Sequence, residues 1–335
     1  MSEVSFLLII IVLAALAFDF TNGAHDCANA IATVVSTKVV TPRFAVGAAA
    51  LLNLCGALIG TEVAKTLGGG IVVPQVVEGS RLLVLAALSG AIAWNIITWY
   101  FGIPSSSSHA LIGGLVGAAV AHAGFWALNG KGIVDKVLLP LVISPLAGFA
   151  MGMFFMICIY RGCANVRRAR VNAAFRRLQL VSAGLMATSH GLNDAQKTMG
   201  IITLALLIFG EIDSLEVPLW VKLACAGAMA LGTAFGGWKI VRTMGRRIFK
   251  LEPVHGFAAE TSAALVISGA SLFGAPVSTT HTISACIFGV GSAKRLSAVR
   301  WPLAMRLVTA WILTLPAAGL MGFISFRAFR LFWLP

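Results

Sequence analysis

Charge is scarce in this chain. Only 11% of its 335 residues are charged, whereas 59% are hydrophobic and the mean hydropathy is +0.92. These values exceed the apolar content of soluble globular domains and predict an all-α integral membrane protein with several spans. The net charge of +13 would suit nucleic-acid binding in a soluble protein, but the Lys and Arg residues lie in short clusters between apolar stretches. We therefore expect membrane lipid as a partner and no nucleic acid.

Cysteine pairs and catalytic signatures are also missing. The six cysteines have no CxxC spacing and lie mostly in apolar runs, which is typical of small buried hydrophobic residues. The sequence contains no HExxH, Walker A or dinucleotide-binding pattern. Ser107, His109 and Asp26 could form a hydrolytic triad, but a Ser-x-His spacing alone does not place a nucleophile beside its base. The chain is predicted not to be an enzyme and to need no cofactor.

Apolar stretches recur along the chain, about six in each half. Several are shorter than the roughly 20 residues of a full helical span, and they adjoin Gly, Pro and Ser. We therefore expect broken or re-entrant helices, whose freed backbone groups need protein or a wet cavity around them. The stretch at 4–20 is predicted to be a retained first membrane segment, because its only early charge is Glu3. The twelve predicted segments lie near 4–20, 26–40, 44–64, 82–101, 106–122, 137–160, 178–190, 195–210, 218–238, 257–273, 279–292 and 303–330.

Basic clusters orient these segments. Arginines at 161–177 predict a cytoplasmic connecting loop between a first transmembrane repeat at 1–160 and a second at 178–335. Counting from this loop puts both termini outside. The count also makes each of the segment pairs joined at Gly23 and Gly191 a single net crossing, which predicts an interrupted segment. Each half then crosses an odd number of times, and this predicts two inverted repeats related by a pseudo-twofold axis in the membrane plane.

Two polar motifs each occur twice, at a spacing of about 170 residues. The first motif occupies 22–29 and returns at 190–197, and the second occupies 102–109 and returns at 274–281. The spacing is about half the chain in both cases, which indicates internal duplication.

Each copy of the second motif predicts the start of a helix. Pro104 precedes four serines at 105–108, and Pro276 precedes Ser278, Thr279 and Thr280. Free backbone N–H groups, hydroxyls and the positive end of the helix dipole converge at such a start, and together they bind tetrahedral oxyanions. One such stretch alone would favour helix capping without a ligand. Two in register within a duplication favour an anion site shared by both halves.

Asp26 and Asp194 supply negative charge to the first motif. A carboxylate at membrane depth is costly unless it binds a cation, accepts a proton or pairs with a basic residue. Lys197 takes the place of Asn29 in the second copy, where it contacts an anionic substrate or neutralises Asp194; a purely structural Asp–Lys pair is the alternative. Nearby amide oxygens suit cation binding, and they belong to Asn22, Asn29, Asn193 and Gln196.

Other ionisable residues are weaker candidates. His25, beside Asp26, either carries a proton or acts as a neutral hydrogen-bonding group. Glu260 lies in an apolar stretch and is a candidate coupling group. His109 and His281 are expected to brace the helix starts. The remaining acidic and basic candidates, expected near membrane ends, are Asp19, Glu62 and Lys65.

The motifs at 22–30 and 191–200 resemble the paired signatures of the inorganic phosphate transporter (PiT) family, and the two Pro-Ser/Thr-His stretches match as well. The resemblance covers nearly the whole chain, with four motifs in the correct order. It implies inverted repeats that move inorganic phosphate with a coupling cation. The implied phosphate site comprises Ser106, Ser107, Ser108, Ser278, Thr279 and Thr280. The resemblance also places Asn29 near phosphate or the cation, and residue chemistry adds Lys197 as a phosphate contact. The coupling-ion site comprises Asp26, Asp194, Asn22, Asn193, His25 and Glu260.

His25 departs from many sodium-coupled relatives, which have Asn at this position. The sequence is similar to bacterial members regarded as proton-coupled carriers of phosphate or of neutral metal–phosphate. The resemblance therefore implies a symporter in the bacterial plasma (inner) membrane, driven by H⁺ or Na⁺ through alternating access. A sulfate permease of the same family is the nearest alternative, and an anion channel is disfavoured by the duplicated carboxylates. A homodimer is one option for the oligomeric state.

Overall fold

The structure is a computed structural model that describes residues 3–67, 70–72, 76 and 80–332. Helices form nearly all of the described part, as the composition predicts. The first half contains α1 (Glu3–Ser36), α2 (Pro42–Ala57), α3 (Glu62–Leu67), α4 (Leu82–Phe101), α5 (Ser107–Ala123) and α6 (Leu139–Gly162), the last preceded by helical turns at Gly130–Ile133 and Val134–Leu138. The second half contains α7 (Arg168–Ile208), α8 (Leu219–Phe235), α9 (Trp238–Arg242), α10 (Pro253–Leu272), α11 (Thr279–Lys294) and α12 (Trp301–Phe332).

Helices α1 and α7 run unbroken through the two copies of the first motif. The apolar segments on either side of Gly23 belong to one helix, and those on either side of Gly191 belong to another. The predicted interruption of these segments is therefore wrong.

Gly23 and Gly191 instead allow helices to touch. A Cβ atom at Gly23 would lie 2.3 Å from the carbonyl oxygen of Met229 on α8, and one at Gly191 would lie 2.1 Å from that of Asn53 on α2. Any side chain at these positions would collide with a neighbouring backbone. Glycine is required here by close packing, and the helices continue because nothing disrupts their own hydrogen bonds.

The central basic segment is mostly helical. The sequence predicts a loop at 161–177, whereas α6 ends at Gly162 and α7 begins at Arg168. The later arginines of this segment occupy exposed positions on α7, while Phe175 on the opposite face packs edge-on against Phe257 of α10. The segment therefore has a buried apolar face, and this face explains why it folds as a helix.

Four helices in the described ranges are long and apolar enough to cross a membrane. They are Phe6–Ser36, Leu82–Phe101, Gly130–Gly162 and Trp301–Phe332. A fifth span results if Leu219–Phe235 and Trp238–Gly245, bent by 61°, count as one broken crossing. The finding supports a multi-pass membrane protein, but the predicted count of twelve segments is not confirmed. Helices α5 and α11 have only 17 and 16 residues, fewer than a full span needs.

Helix α5 begins within the bundle and not at its edge. Cβ atoms on Gly113 and Gly117 would strike the carbonyl oxygens of Leu315 and Gly319 on α12, so the two helices run side by side in the same direction. Because this register sets the first turn of α5 beside the third turn of α12, the start of α5 lies about 12 Å along that helix.

Helix α11 has the same relation to α6. Gly148 and Gly152 of α6 face the backbone of Thr282 and Cys286 on α11. This register places the start of α11 about 20 Å along the span that begins at Gly130. Both helix starts therefore lie deep within the spanning helices, and two clusters of buried apolar side chains flank them, one including α4 and α5 and the other α10 and α11.

Candidate functional site

Ser106 and Ser278 are the N-caps of α5 and α11. Both have an extended backbone, and their side-chain oxygens accept hydrogen bonds from the main-chain N–H groups of His109 (3.2 Å) and His281 (3.3 Å). The two predicted helix starts are therefore confirmed. Capping accounts for these two serines, whereas the hydroxyls of the next two residues in each copy can contact a ligand.

Stacked rings hold the two helix starts together. The imidazole of His109 stacks on that of His281 with centroids 4.9 Å apart, and His281 stacks on Trp311 of α12 at 4.3 Å. Trp311 Nε1 donates to the carbonyl oxygen of Pro104, 3.2 Å away. All three rings are buried. The two histidines thus brace the helix starts, as the sequence predicts.

A single ammonium group bridges both helix starts. Lys197 on α7 donates to Ser108 Oγ in the first turn of α5 (2.5 Å) and to the main-chain oxygen of Val277 just before α11 (2.9 Å). It also donates to Asp194 Oδ1, one turn earlier on α7. The sequence offers Lys197 as a phosphate ligand or as the counter-charge of Asp194. In this structure all three donors of the ammonium are used by protein oxygens.

The second oxygen of Asp194 contacts α11 and a histidine that the sequence argument overlooks. Thr279 Oγ1 donates to Asp194 Oδ2 at 2.8 Å, and His190 Nε2 lies 3.1 Å from the same oxygen. His190 Nδ1 lies 3.1 Å from Asn53 Oδ1 on α2. His190 opens the second copy of the first motif, and its i, i+4 spacing to Asp194 on a helix is the signal that could have identified it.

Asp26, on α1, contacts a histidine and a threonine, as Asp194 does. His25 Nδ1 lies 2.6 Å from Asp26 Oδ1, and Thr280 Oγ1 donates to the same oxygen at 3.3 Å. One turn further along α1, the amide nitrogen of Asn29 donates to Thr279 Oγ1 (3.2 Å) and to Thr280 Oγ1 (2.9 Å). The first turn of α11 is therefore held by α1 and by α7 at once.

The two carboxylates converge in the interior. Asp26, His190 and Asp194 each place one oxygen or nitrogen within 4.8 Å of the others, and all three side chains are buried. Among the described residues, Ser107 Oγ and Asn29 Oδ1 are buried without a hydrogen-bond partner. Carboxylates beside two helix N-termini create a place where a cation and an anion can bind next to each other.

Comparison with known proteins identifies the family. The profile of the Phosphate transporter family matches residues 22–322, a range that contains both copies of both motifs. This chain belongs to the phosphate transporter family. The resemblance drawn from the motifs is confirmed, and the family is one of transporters and not of enzymes.

Members of the phosphate transporter family match nearly the whole chain. The "Probable low-affinity inorganic phosphate transporter" of Bacillus subtilis (strain 168) is 49% identical over 321 residues, which is 96% of each chain. The protein of the same name from Rhizobium meliloti (strain 1021) is 50% identical over 324 residues, with the same coverage. A solved structure described as "The sodium-dependent phosphate transporter" has a TM-score of 0.86 and 24% identity, and the match covers 97% of this chain and 99% of that one. That likeness establishes a shared all-helical fold.

In this family member, Glu260 lies away from the central cluster. Its carboxylate on α10 accepts hydrogen bonds from Ser182 Oγ (2.5 Å), from Gln179 Nε2 (3.1 Å) and from Thr33 on α1. Thr33 lies about two turns along α1 from Asp26. Glu260 therefore links three helices at a different level of the bundle, and its role in coupling stays a prediction.

Asn22 and Asn193 are not among the described residues that hydrogen-bond to Asp26 or Asp194. Asn193 Nδ2 donates to Ser271 Oγ on α10 at 2.8 Å, and Asn22 lies near Asp19. Asp19 is expected near a membrane end, yet it is fully buried in the middle of α1. That expectation is wrong because α1 begins well before Asp19 and continues past it. Glu62 and Lys65 are exposed, as a position near a membrane end requires, and their charged atoms are 3.0 Å apart.

Proposed function

We propose that this protein imports inorganic phosphate by proton-coupled symport through alternating access. The observation that carries the proposal is the bridge that Lys197 makes between Asp194 and the starts of α5 and α11. An anion held at these helix starts would lie against carboxylates that can bind a cation or take up a proton, which is what symport requires. The names of the relatives support phosphate as the anion.

We propose two inverted repeats, at 1–160 and 178–335. Helix packing supports this assignment. If each of α1–α6 is matched with the helix six places later, so that α1 corresponds to α7 and α2 to α8, the helix pairs in contact correspond as well. Helix α1 packs on α8 as α7 packs on α2, and α5 packs on α12 as α11 packs on α6. Matched glycines support the same exchange: Gly56 meets the backbone of Thr188, and Gly232 meets that of Phe20. Each half completes the core of the other, with the site between them.

Phosphate is proposed to bind at the first turns of α5 and α11. Ser107 Oγ is buried and has no hydrogen-bond partner among the described residues, so it can donate to an anion without breaking an existing bond. The hydroxyls of Ser108, Thr279 and Thr280 lie in the same first turns. Helix dipoles from both halves add positive potential at this point.

Protons are the proposed driving ion because of His25. Its Nδ1 lies 2.6 Å from Asp26 Oδ1 and its Nε2 lies 3.1 Å from Thr98 Oγ1, so imidazole and carboxylate form one hydrogen-bonded unit that can exchange a proton. Sodium is the alternative. A divalent metal carried together with phosphate would meet the ligand atoms of Asp26, His190 and Asp194, which suit such an ion.

We place the protein in the bacterial plasma membrane, with the basic segment at 161–177 in the cytoplasm and both termini outside. Exposed apolar side chains such as Leu146 on α6 and Leu320 on α12 suit contact with lipid or with a second copy in a homodimer. Phosphate and cation enter from outside, the repeats rearrange, and both ligands leave to the cytoplasm.

The test is uptake of radiolabelled phosphate into proteoliposomes that contain the purified protein. Proton and sodium gradients are imposed separately, and unlabelled sulfate serves as competitor. Accumulation driven by protons and unaffected by sulfate is the expected result, and Asp26→Asn should lose it. Inhibition by sulfate would favour the sulfate permease, whereas uptake indifferent to both gradients would favour an anion channel.

A further inference from the structure

The ammonium of Lys197 has the surroundings of a bound metal cation. Three oxygens contact it: a carboxylate oxygen of Asp194, the hydroxyl oxygen of Ser108 at 2.5 Å and the main-chain oxygen of Val277 at 2.9 Å. The side chain is only 2% exposed. The three oxygens come from α7, from α5 and from the non-helical residues before α11, so the ammonium joins both halves of the chain.

This set of oxygens is the set that hard monovalent and divalent cations prefer. Carboxylate, hydroxyl and main-chain carbonyl oxygens are typical ligands of such ions, and carbonyls freed beside a half-helix coordinate coupling ions in transporters with discontinuous helices. A lysine ammonium is a compact point charge, so it can satisfy the same oxygens. The ammonium is therefore placed where a dissolved cation would otherwise neutralise Asp194.

The first half of the chain differs at the equivalent position. Asn29 stands three residues after Asp26, as Lys197 stands three residues after Asp194. The amide of Asn29 donates to Thr279 and Thr280 and brings no charge. Asp194 thus has a positively charged side chain of the protein one turn away, whereas the related carboxylate Asp26 has none at the equivalent position.

We infer that Lys197 is a tethered substitute for a coupling cation, and that it prevents the Asp194 site from taking sodium from solution. The inference rests on the proposed function, because it assigns one determinant of which ion drives the transporter. Lys197 acts through its charge and position, without leaving the protein during the cycle. Removing the ammonium should open the oxygen set to sodium.

The first experiment measures sodium binding in the absence of phosphate. Thermal unfolding of purified Lys197→Ala and Lys197→Gln is compared in sodium chloride and in choline chloride of equal ionic strength. Sodium at about ten times its Kd should raise the Tm of both variants by about 2 °C. The wild-type protein and the control Lys65→Ala, which removes an exposed lysine, should give equal Tm values in the two salts.

The second experiment measures phosphate uptake into proteoliposomes. An inward sodium gradient should increase uptake by Lys197→Ala by about fivefold or more, whereas wild-type uptake should be the same in sodium and in choline. Variants that fold yet respond to sodium in neither experiment would overturn the inference. A wild-type protein that binds or needs sodium would overturn it too, even if no variant folds. Loss of phosphate uptake by the wild type under every gradient would instead refute the proposed function, and the unfolding result would still stand.

Discussion

Lys197 Nζ and Asp194 Oδ1 form an ion pair one turn apart on α7, with both side chains buried. The same ammonium also binds Ser108 and Val277, so the pair ties α7 to the starts of α5 and α11. Both charges are shielded from water in this structure, so removing one leaves the other buried without its counter-charge. The pair is therefore both a structural joint and the electrostatic centre of the candidate site.

Asp194→Asn is expected to destabilise the protein by about 3–5 kcal/mol, because Lys197 would keep a buried charge without its counter-charge. Adding Lys197→Met should recover most of this loss, since the double variant buries no charge. Thermal unfolding of the two variants in detergent measures the difference. A single variant as stable as the wild type would contradict the ion pair that we describe.

Ser107→Ala combined with Thr279→Ala is expected to raise the KM for phosphate by about a hundredfold or more, because each of the two lost hydrogen bonds to a charged group contributes about 1.5–3 kcal/mol. Phosphate uptake at varied phosphate concentration measures the effect. Ser106→Ala is the matched control: it removes a cap and should cost about 1 kcal/mol of stability, with a smaller change in KM. An unchanged KM in the double variant would limit these hydroxyls to capping.

His25→Asn is expected to abolish phosphate accumulation driven by a proton gradient while phosphate exchange across the membrane continues. The reason is that the variant loses the imidazole that contacts Asp26 on one side and Thr98 on the other. Counterflow with phosphate on both sides of the liposome membrane measures exchange. His122→Asn, at the far end of α5, should keep both activities. Proton-driven accumulation by His25→Asn would assign coupling to another group.

Gly191→Ala is expected to destabilise the protein by about 1–3 kcal/mol or more, because its Cβ would lie 2.1 Å from the carbonyl oxygen of Asn53 and α2 would have to move. Gly227→Ala on α8 is the matched control, since no atom lies within 4 Å of the added carbon. It should leave stability unchanged or raise it by about 1 kcal/mol. Equal Tm values for the two variants would contradict the close contact of α7 with α2.

Much of the site follows from local sequence. Pro104 and Pro276 with the residues after them predict two helix starts, and caps form there because a side-chain oxygen needs only a backbone N–H two or three residues away. The carboxylates Asp26 and Asp194 are recognisable because a charge in an apolar stretch requires a partner.

Whether a helix continues or breaks is harder to predict from sequence. A glycine next to polar residues fits a break in a helix, and it fits equally a surface where another backbone approaches. Gly23 and Gly191 serve the second purpose, and only the positions of α8 and α2 distinguish the two. The basic segment at 161–177 is a similar case, because the burial of Phe175 against α10 decides that it is helical.

Composition and motif duplication determined by themselves that this chain is a helical membrane protein with two paired helix starts and two paired carboxylates. These properties depend on residue chemistry and short spacings. The tertiary structure alone decided that Asp26 lies beside His190 and Asp194, and that Lys197 reaches Ser108 and Val277. Those residues are far apart in sequence, and their meeting depends on helix packing across the two halves, which no local pattern encodes.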